Sequence, residues 1–311
     1  MFYRKLGETS LNLSLLGYGC WGVGGGTKNY PAYGKIDPKQ VTLAIEKAID
    51  LGINFFDTSA LYGRGQSEIF LSKILPKYRQ KIYISTKAGL LNVKKKCFNL
   101  KYLRQSLENS LKRLKTEYVD LFQLHNFDID DFVDYPDIED LLISLKKEGK
   151  IIEWGVSSKT PDDALALLKK IKFPSIQCNF NILDKRCIDN KLFEFCLDNK
   201  IGVIARTPLG FGFLSLKIDA DISFPDDDHR SKWSTASRQS WIDNSKKIED
   251  LLCVNQSTSM AQLCIKFCIT PDVVSTCIPG MHSIEEVLEN YGAVKSGPLS
   301  KELYLKICQF N

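Results

Sequence analysis

The sequence predicts an α/β protein built as a (β/α)8 barrel, the TIM-barrel architecture, with an N-terminal β-hairpin and a long loop after strand seven. Three observations carry that expectation. Short β-rich runs alternate with longer helical patterns from end to end of the chain. Strand followed by helix throughout implies parallel pairing through crossover connections. Eight such units in 311 residues suit a closed barrel better than an open doubly wound sheet.

The elements follow in order. FYRKLGETSLNLS reads as the hairpin, with Gly7-Glu8-Thr9 at its turn. Strands are expected near Leu15–Gly19, Ile53–Asp57, Ile82–Thr86, Tyr118–Leu124, Ile152–Val156, Ser175–Asn179, Gly202–Ala205 and Val273–Ile278. Between them, Asp37-Pro38 supplies an N-cap and an N1 proline ahead of KQVTLAIEKAIDLG, which Gly52 ends. Leu100, Leu103, Leu107, Leu111 and Leu114 form a stripe at helical spacing that faces a core. Thr160-Pro161-Asp162-Asp163 opens ALALLKKI in the same manner as the first helix. SMAQLCIKFCI precedes the eighth strand, SIEEVLENYGAV follows it, and ELYLKICQF comes last. Residues Arg206 to Ala236 resist the pattern, with glycines, prolines and an acidic PDDD run but no periodicity. A loop of that length after the seventh strand lies on the mouth side of a barrel and is expected to be functional or mobile.

Composition limits the remaining possibilities. With 44% hydrophobic and 25% charged residues, 20 Gly and 11 Pro, the chain is ordinary for a globular protein. A disordered tail, a collagen-like rod and a disulfide knot are excluded. Length alone allows two domains, but one barrel spanning residues 1–311 is the expectation. Forty-two Lys+Arg against 37 Asp+Glu leave a net charge of +5. The basic residues are scattered apart from Lys94-Lys95-Lys96, read as a solvated loop, so no nucleic-acid partner is expected. Ten cysteines lack CxxC spacing or clustered histidines, and no metal is expected. Cys264 and Cys268 read as small buried hydrophobes. The N-terminus lacks a signal-peptide pattern, and no run of about 20 apolar residues is long enough to cross a bilayer. A cytoplasmic monomer with no membrane partner is the default expectation.

A barrel enzyme places its working groups at the C-terminal ends of its strands. Strand two ends in Asp57, and the loop after it carries Tyr62; strand three ends IYISTK in Lys87, and strand four ends DLFQLH in His125. Singly, each has an ordinary alternative: a helix cap, an amphipathic rim residue, a solvated lysine, a satisfied core histidine. Four proton-handling groups on one rim read instead as a network that tunes pKa values.

NFFDTSALYGRGQSE, STKAG, QLHN, GVSS, QCNFN, RTPLGFGFL and IPGMHSIEEVLEN, in that order, resemble the aldo-keto reductase family over nearly the whole chain. The resemblance implies the barrel fold, a nicotinamide cofactor bound without a Rossmann domain, and a catalytic tetrad of Asp57, Tyr62, Lys87 and His125. Its logic is physical. Carbonyl reduction needs a hydride and a proton, and a free phenol with a pKa of about 10 is a poor donor at neutral pH. An ammonium at Lys87 would lower the Tyr62 pKa, Asp57 would hold that lysine charged, and His125 would donate to the carbonyl oxygen.

The same resemblance assigns cofactor contacts. Ser157, Ser158 and Gln177 would meet the nicotinamide carboxamide, with serine at a position where asparagine is frequent. Arg206 would stack on the ring, its alternative being an ion pair with an acid of the long loop. Thr207, Pro208, Leu209, Gly210 and Gly212 would lie against the pyrophosphate, and Gly280, His282, Ser283, Glu286 and Asn290 would serve the adenosine end. Ser283 and a helix N-terminus suit a 2′-phosphate, whereas Glu286 opposes one, so NADPH is favoured with NADH as the second option.

Gly17-Tyr18-Gly19-Cys20-Trp21-Gly22 matches GxGxxG, but no helix pattern follows, and it reads as the first strand-to-helix loop. Trp21 is a candidate wall of the substrate pocket or simple packing; Asn126 and Phe127, beyond His125, are further candidates. His229 lies in DHRSKW, where it is an ordinary surface histidine or part of a lid ordered by Asp228 and Arg230. The expected function is reversible reduction of a small-molecule aldehyde or ketone. The alternatives are a cofactor-binding accessory subunit with little turnover and a barrel lyase or isomerase using the same base.

Overall fold

The computed structural model describes residues 1–26, 32–92, 95–251 and 258–310. Its hairpin pairs β1 (Tyr3–Lys5) with β2 (Asn12–Ser14), antiparallel. The turn falls at Gly7, whose φ is +56° and where a Cβ would stand 2.4 Å from the Lys200 carbonyl oxygen. Only glycine fits there. Eight parallel strands follow: β3 (Tyr18–Gly19), β4 (Phe55–Asp57), β5 (Tyr83–Ala88), β8 (Val119–His125), β9 (Ile151–Ser157), β10 (Ser175–Asn179), β11 (Gly202–Arg206) and β12 (Val274–Ile278). Each pairs with the next, and single bridges Leu16–Cys277 and Gly19–Gly280 join the first strand to the last, closing the ring.

Twelve helices accompany these strands among the described residues. They are α1 (Pro38–Asp50), α2 (Gln66–Leu71), α3 (Leu100–Leu114), α4 (Ile129–Asp134), α5 (Ile138–Lys147), α6 (Pro161–Leu168), α7 (Arg186–Asp189), α8 (Leu192–Asp198), α9 (Thr235–Leu251), α10 (Met260–Ile269), α11 (Ile284–Lys295) and α12 (Lys301–Gln309). Their starts follow local chemistry: Asp37 caps α1 and Thr160 caps α6, each ahead of a proline in the first turn. None of the helices is long and apolar enough to cross a membrane.

Three expectations need correction. The first barrel strand is two residues long rather than five: Leu16 is joined by an isolated bridge alone, and the chain passes Gly17 so close to Ile278, Thr276 and Phe55 that a Cβ there would crowd them. The lysine run is not wholly a solvated loop: Lys95–Lys96 form β7, paired with β6 (Leu90–Asn92), and Lys96 bridges Asp128 and Asp131. Lys94 lies outside the described residues. The stretch from Arg206 to Ala236 contains two short 3-10 turns, Gly210–Ser215 and His229–Lys232, and α9 begins inside it.

The barrel interior is layered along the strands, since every second side chain points inward. At the hairpin end, Phe55, Leu121, Ile204 and Ile278 pack with Leu6, Leu11 and Leu13 as an apolar plug. Two residues further along the same strands, the inward positions are Asp57, Gln123 and Arg206. The switch from apolar to polar happens within one strand repeat, and it places the polar groups at the mouth.

Candidate active site

Asp57 ends β4 and Lys87 lies near the end of β5; their exposures are 2% and 0%. The Lys87 ammonium donates to Asp57 Oδ2 at 2.5 Å, to the Thr58 carbonyl at 3.0 Å and to Tyr62 Oη at 3.2 Å. The other carboxylate oxygen, Asp57 Oδ1, accepts from Gln123 Nε2 and Gln177 Nε2, both at 3.0 Å. A buried charge is tolerated only when its partners are in place, and here both charges have a full set.

The segment between these strands is shaped by its own small polar residues. Thr58 Oγ1 donates to Ser67 Oγ, which donates to the Cys20 carbonyl, and buried Glu68 joins Thr86 and Arg113. Gly63 and Gly65 take positive φ, and a Cβ on Gly65 would stand 2.6 Å from Arg113 Nε. These anchors turn Tyr62 back over Lys87. The Tyr62 ring lies 6.0 Å from His125, edge on, and 6.4 Å from Trp21. His125, at the end of β8, meets Ser59 Oγ through Nδ1 at 3.1 Å.

Electrostatics at this cluster differ from expectation at one point. Burial raises the Tyr62 pKa above its ordinary value, and the opposing pull of Lys87 does not cancel it. Desolvation outweighs one nearby charge for a phenol walled in by rings. Burial works against the Lys87 charge, yet Asp57 and the Tyr62 oxygen together hold its pKa above normal. Burial, then the charges of Lys87 and Arg206, push His125 well below the usual imidazole range, so its ring is neutral at pH 7.

Asp57, Tyr62 and His125 border a cavity of about 990 Å3 at the barrel mouth, with Lys87 buried behind them. Of the residues expected to hold a cofactor, Gln177, Arg206, Thr207, Pro208, Leu209, Gly212, Gly280, His282, Glu286 and Asn290 line it. Ser157, Ser158, Gly210 and Ser283 lie behind that lining. Ser157 Oγ accepts from Arg206 Nη1, Gly210 is buried, and Ser283 caps α11 by accepting from Glu286 N–H. Ser158 Oγ and Asn126 Oδ1 are buried without a partner among the described residues. Asn126 follows the end of β8 and Ser158 follows the end of β9.

Among the described residues Arg206 makes no ion pair with the loop. Its guanidinium donates to Asn179 Oδ1, Ser157 Oγ and the Ser158 carbonyl, at 2.8, 3.2 and 2.7 Å, which fixes it as a flat wall. Glu286 Oε2 accepts the His282 N–H at 2.6 Å. Trp21 lines the cavity, whereas Phe127 does not. Phe127 is fully buried against Phe98 and Phe173, because the chain leaves β8 through Asn126 at φ +58°, which turns the next side chain inward to the core.

Several cavity residues escaped the sequence reading. Tyr33, Phe211 and Trp233 join Trp21 and His229 in an aromatic wall, and Lys217 pairs with Glu289 at 2.7 Å on the rim. His229 is not a surface histidine: it is 8% exposed, and the Asp228–Arg230 ion pair flanks it. Among the described residues no group of His, Cys, Asp and Glu is arranged to hold a metal.

Comparison with known proteins bears on this site. The aldo/keto reductase family model matches residues 15–311. An oxidoreductase of Bacillus subtilis (strain 168) is 28% identical, the match covering 96% of this chain and 93% of that protein. An NADH-specific methylglyoxal reductase of Escherichia coli (strain K12) is 28% identical over 93% of this chain and 92% of its own. The holo form of an aldo-keto reductase from Bacillus halodurans superposes with a TM-score of 0.80 at 28% identity, covering 100% of this chain and 96% of that one.

Proposed function

The chain belongs to the aldo/keto reductase family, and on that premise we propose that it reduces an aldehyde or ketone to an alcohol, reversibly, with a nicotinamide dinucleotide as donor and Tyr62 as general acid. The observation that carries this reading is the Tyr62 hydroxyl 3.2 Å from a Lys87 ammonium, which is itself paired with buried Asp57 on the wall of the cavity. Tyr62, Lys87, His125 and Asp57 then take the four roles of the tetrad.

The residues present fit the donor. Ser158 Oγ and Asn126 Oδ1 need partners, and Gln177, with its amide nitrogen committed to Asp57, has Oε1 facing only a long 3.4 Å contact from Ser157. Those three would hold a carboxamide. Arg206 would stack as a planar wall, with its donors committed to strand-end oxygens so that its face is turned to the ring. Thr207 to Gly212 would border the pyrophosphate, where Gly212 has no side chain to obstruct it. Bound there, the dinucleotide supplies hydride from C4 of its ring.

The chain's own groups handle the proton. Burial keeps the Tyr62 phenol protonated at neutral pH, so the proton is in place before substrate arrives. When Tyr62 gives it to the forming alkoxide, the Lys87 ammonium stabilises the phenolate left behind. Ser59 has one hydroxyl hydrogen, and His125 Nδ1 is its nearer acceptor, at 3.1 Å against 3.3 Å for the Lys87 carbonyl. That leaves the His125 proton on Nε2, free to donate to the carbonyl oxygen. In oxidation the steps reverse, with the phenolate as base.

For the dinucleotide itself, we read NADPH as favoured and NADH as also accepted. The Glu286 carboxylate accepts the His282 N–H, which engages one of its oxygens while its charge stays on the cavity lining. The test of the whole reading is NADPH and NADH consumption over a panel of aldehydes, ketones and sugars, wild type against Tyr62→Phe. Loss of turnover by orders of magnitude in the variant, with dinucleotide binding retained, is the expected result. Equal turnover in both proteins would overturn it.

A further inference from the structure

His229 carries chemistry that the tetrad does not use. Its backbone N–H and its ring Nδ1 both meet the Ala32 carbonyl, at 2.8 and 2.6 Å. A carbonyl only accepts, so Nδ1 must carry the ring proton. Burial lowers the His229 pKa to about 4, so at neutral pH the ring stays uncharged and Nε2 is a bare acceptor. That Nε2 is buried without a partner among the described residues. Four rings surround it: Trp21 at 4.3 Å, Tyr33 at 4.9 Å, Trp233 at 5.0 Å and Phe211 at 5.2 Å between centroids.

Such an orientation is held firmly. Residues Ala32 and Tyr33 bridge to Asp228, and Asp228 binds Arg230 through paired hydrogen bonds of 3.0 and 2.6 Å. The imidazole therefore cannot simply turn to find a proton elsewhere. Of its rings, Trp21 is also the neighbour of Tyr62, so a molecule lying across Trp21 spans the distance from proton donor to His229.

We propose that His229 Nε2 accepts a hydrogen bond from a hydroxyl group of the substrate, selecting hydroxy-aldehydes and hydroxy-ketones over plain alkyl carbonyls. The inference rests on the carbonyl-reducing role above. The aromatic wall suits the C–H face of such a molecule, and the unpaired His229 Nε2 set in that wall suits its hydroxyl. A site with a buried acceptor rejects analogues lacking the donor, because the acceptor then stays unpaired.

The test has two arms. In protein labelled with 15N at its three histidines, the His229 Nε2 resonance is assigned by its absence in His229→Phe. Glycerol should shift that signal saturably and propan-1-ol should not. Equal effects of the two alcohols, or none from glycerol, overturn the proposal. In kinetics, the kcat/KM ratio for glyceraldehyde over propanal should fall about tenfold in His229→Phe and recover in His229→Gln, which restores an acceptor. An unchanged ratio overturns the proposal. A wild type that reduces neither aldehyde but shows the glycerol shift would count against carbonyl reduction while supporting His229 as the hydroxyl acceptor.

Discussion

Replacing Lys87 by Met, Asp57 by Asn, and both together separates the stability of the buried pair from its chemistry. The pair lies at 2.5 Å with side-chain exposures of 0% and 2%, so neither charge reaches water when its partner is removed. Breaking a buried pair of this kind costs about 3–5 kcal/mol. The two single variants should differ within that range. Lys87→Met leaves Asp57 with two amide donors, Gln123 and Gln177, and belongs at the lower end. Asp57→Asn leaves a buried ammonium with neutral acceptors alone, the amide oxygen, the Thr58 carbonyl and the Tyr62 oxygen, and belongs at the upper end. The double variant buries no charge, so it should be more stable than the sum of the singles predicts by about 2–3 kcal/mol. Urea unfolding followed by tryptophan fluorescence at pH 7 measures all four proteins. Strict additivity, or single losses under about 1 kcal/mol, would refute the reasoning, because it would mean the pair is solvated.

The other expectations concern pH, cofactor choice and turnover. His229 titrates at about 4 in the fold against 6.5 ordinarily, so its contribution is full above pH 6.5 and is lost as pH falls towards 4. By linkage that amounts to about 2 kcal/mol at pH 5, and His229→Gln should flatten the stability-against-pH curve between those limits, as followed by urea unfolding at several pH values. Lys87 and Tyr62 both have raised pKa values, so their contribution is present below pH 10 and is lost on going more alkaline; Lys87→Met should unfold less steeply there. Glu286→Gln keeps an acceptor for the His282 N–H but removes the charge, and should improve the Kd for NADPH several-fold more than that for NADH, measured by cofactor fluorescence. Tyr62→Phe should lower kcat by orders of magnitude with little change in dinucleotide Kd.

Much of this architecture was readable from residue order because local signals and global fold agree. The caps Asp37 and Thr160 start their helices where their prolines allow, and Asp57, Lys87 and His125 stand at strand ends. Helix α9 was not readable, for a physical reason: its buried positions include Arg238, Ile242, Ser245 and Ile248, a stripe of mixed polarity. Arg238 donates there to the Ile222 carbonyl, which only the folded loop supplies. The aromatic wall was hidden differently. Trp21 and Tyr33 come from the segment after β3, and Phe211, His229 and Trp233 from the long segment after β11, and no spacing rule links them. Phe127 was misplaced because a position after a catalytic strand end does not reveal which way a left-handed residue at 126 turns the chain.

The short seam strand gives the barrel an order of assembly. β3 and β12 come from opposite ends of the chain; the two residues of β3 pair with β4, and the seam is made by the isolated bridges Leu16–Cys277 and Gly19–Gly280. Joining them closes one of the longest loops in the molecule for few bonds, which makes it a contact that is slow to gain during folding. The strands that carry Asp57, Lys87 and His125 are consecutive in the unbroken arc, so the charged cluster can take shape while the ring is open. The cavity cannot, because Trp21 follows β3 while Gly280 and His282 follow β12. A folding intermediate of this chain would thus hold its proton-transfer groups in register before it had anywhere to bind a ligand.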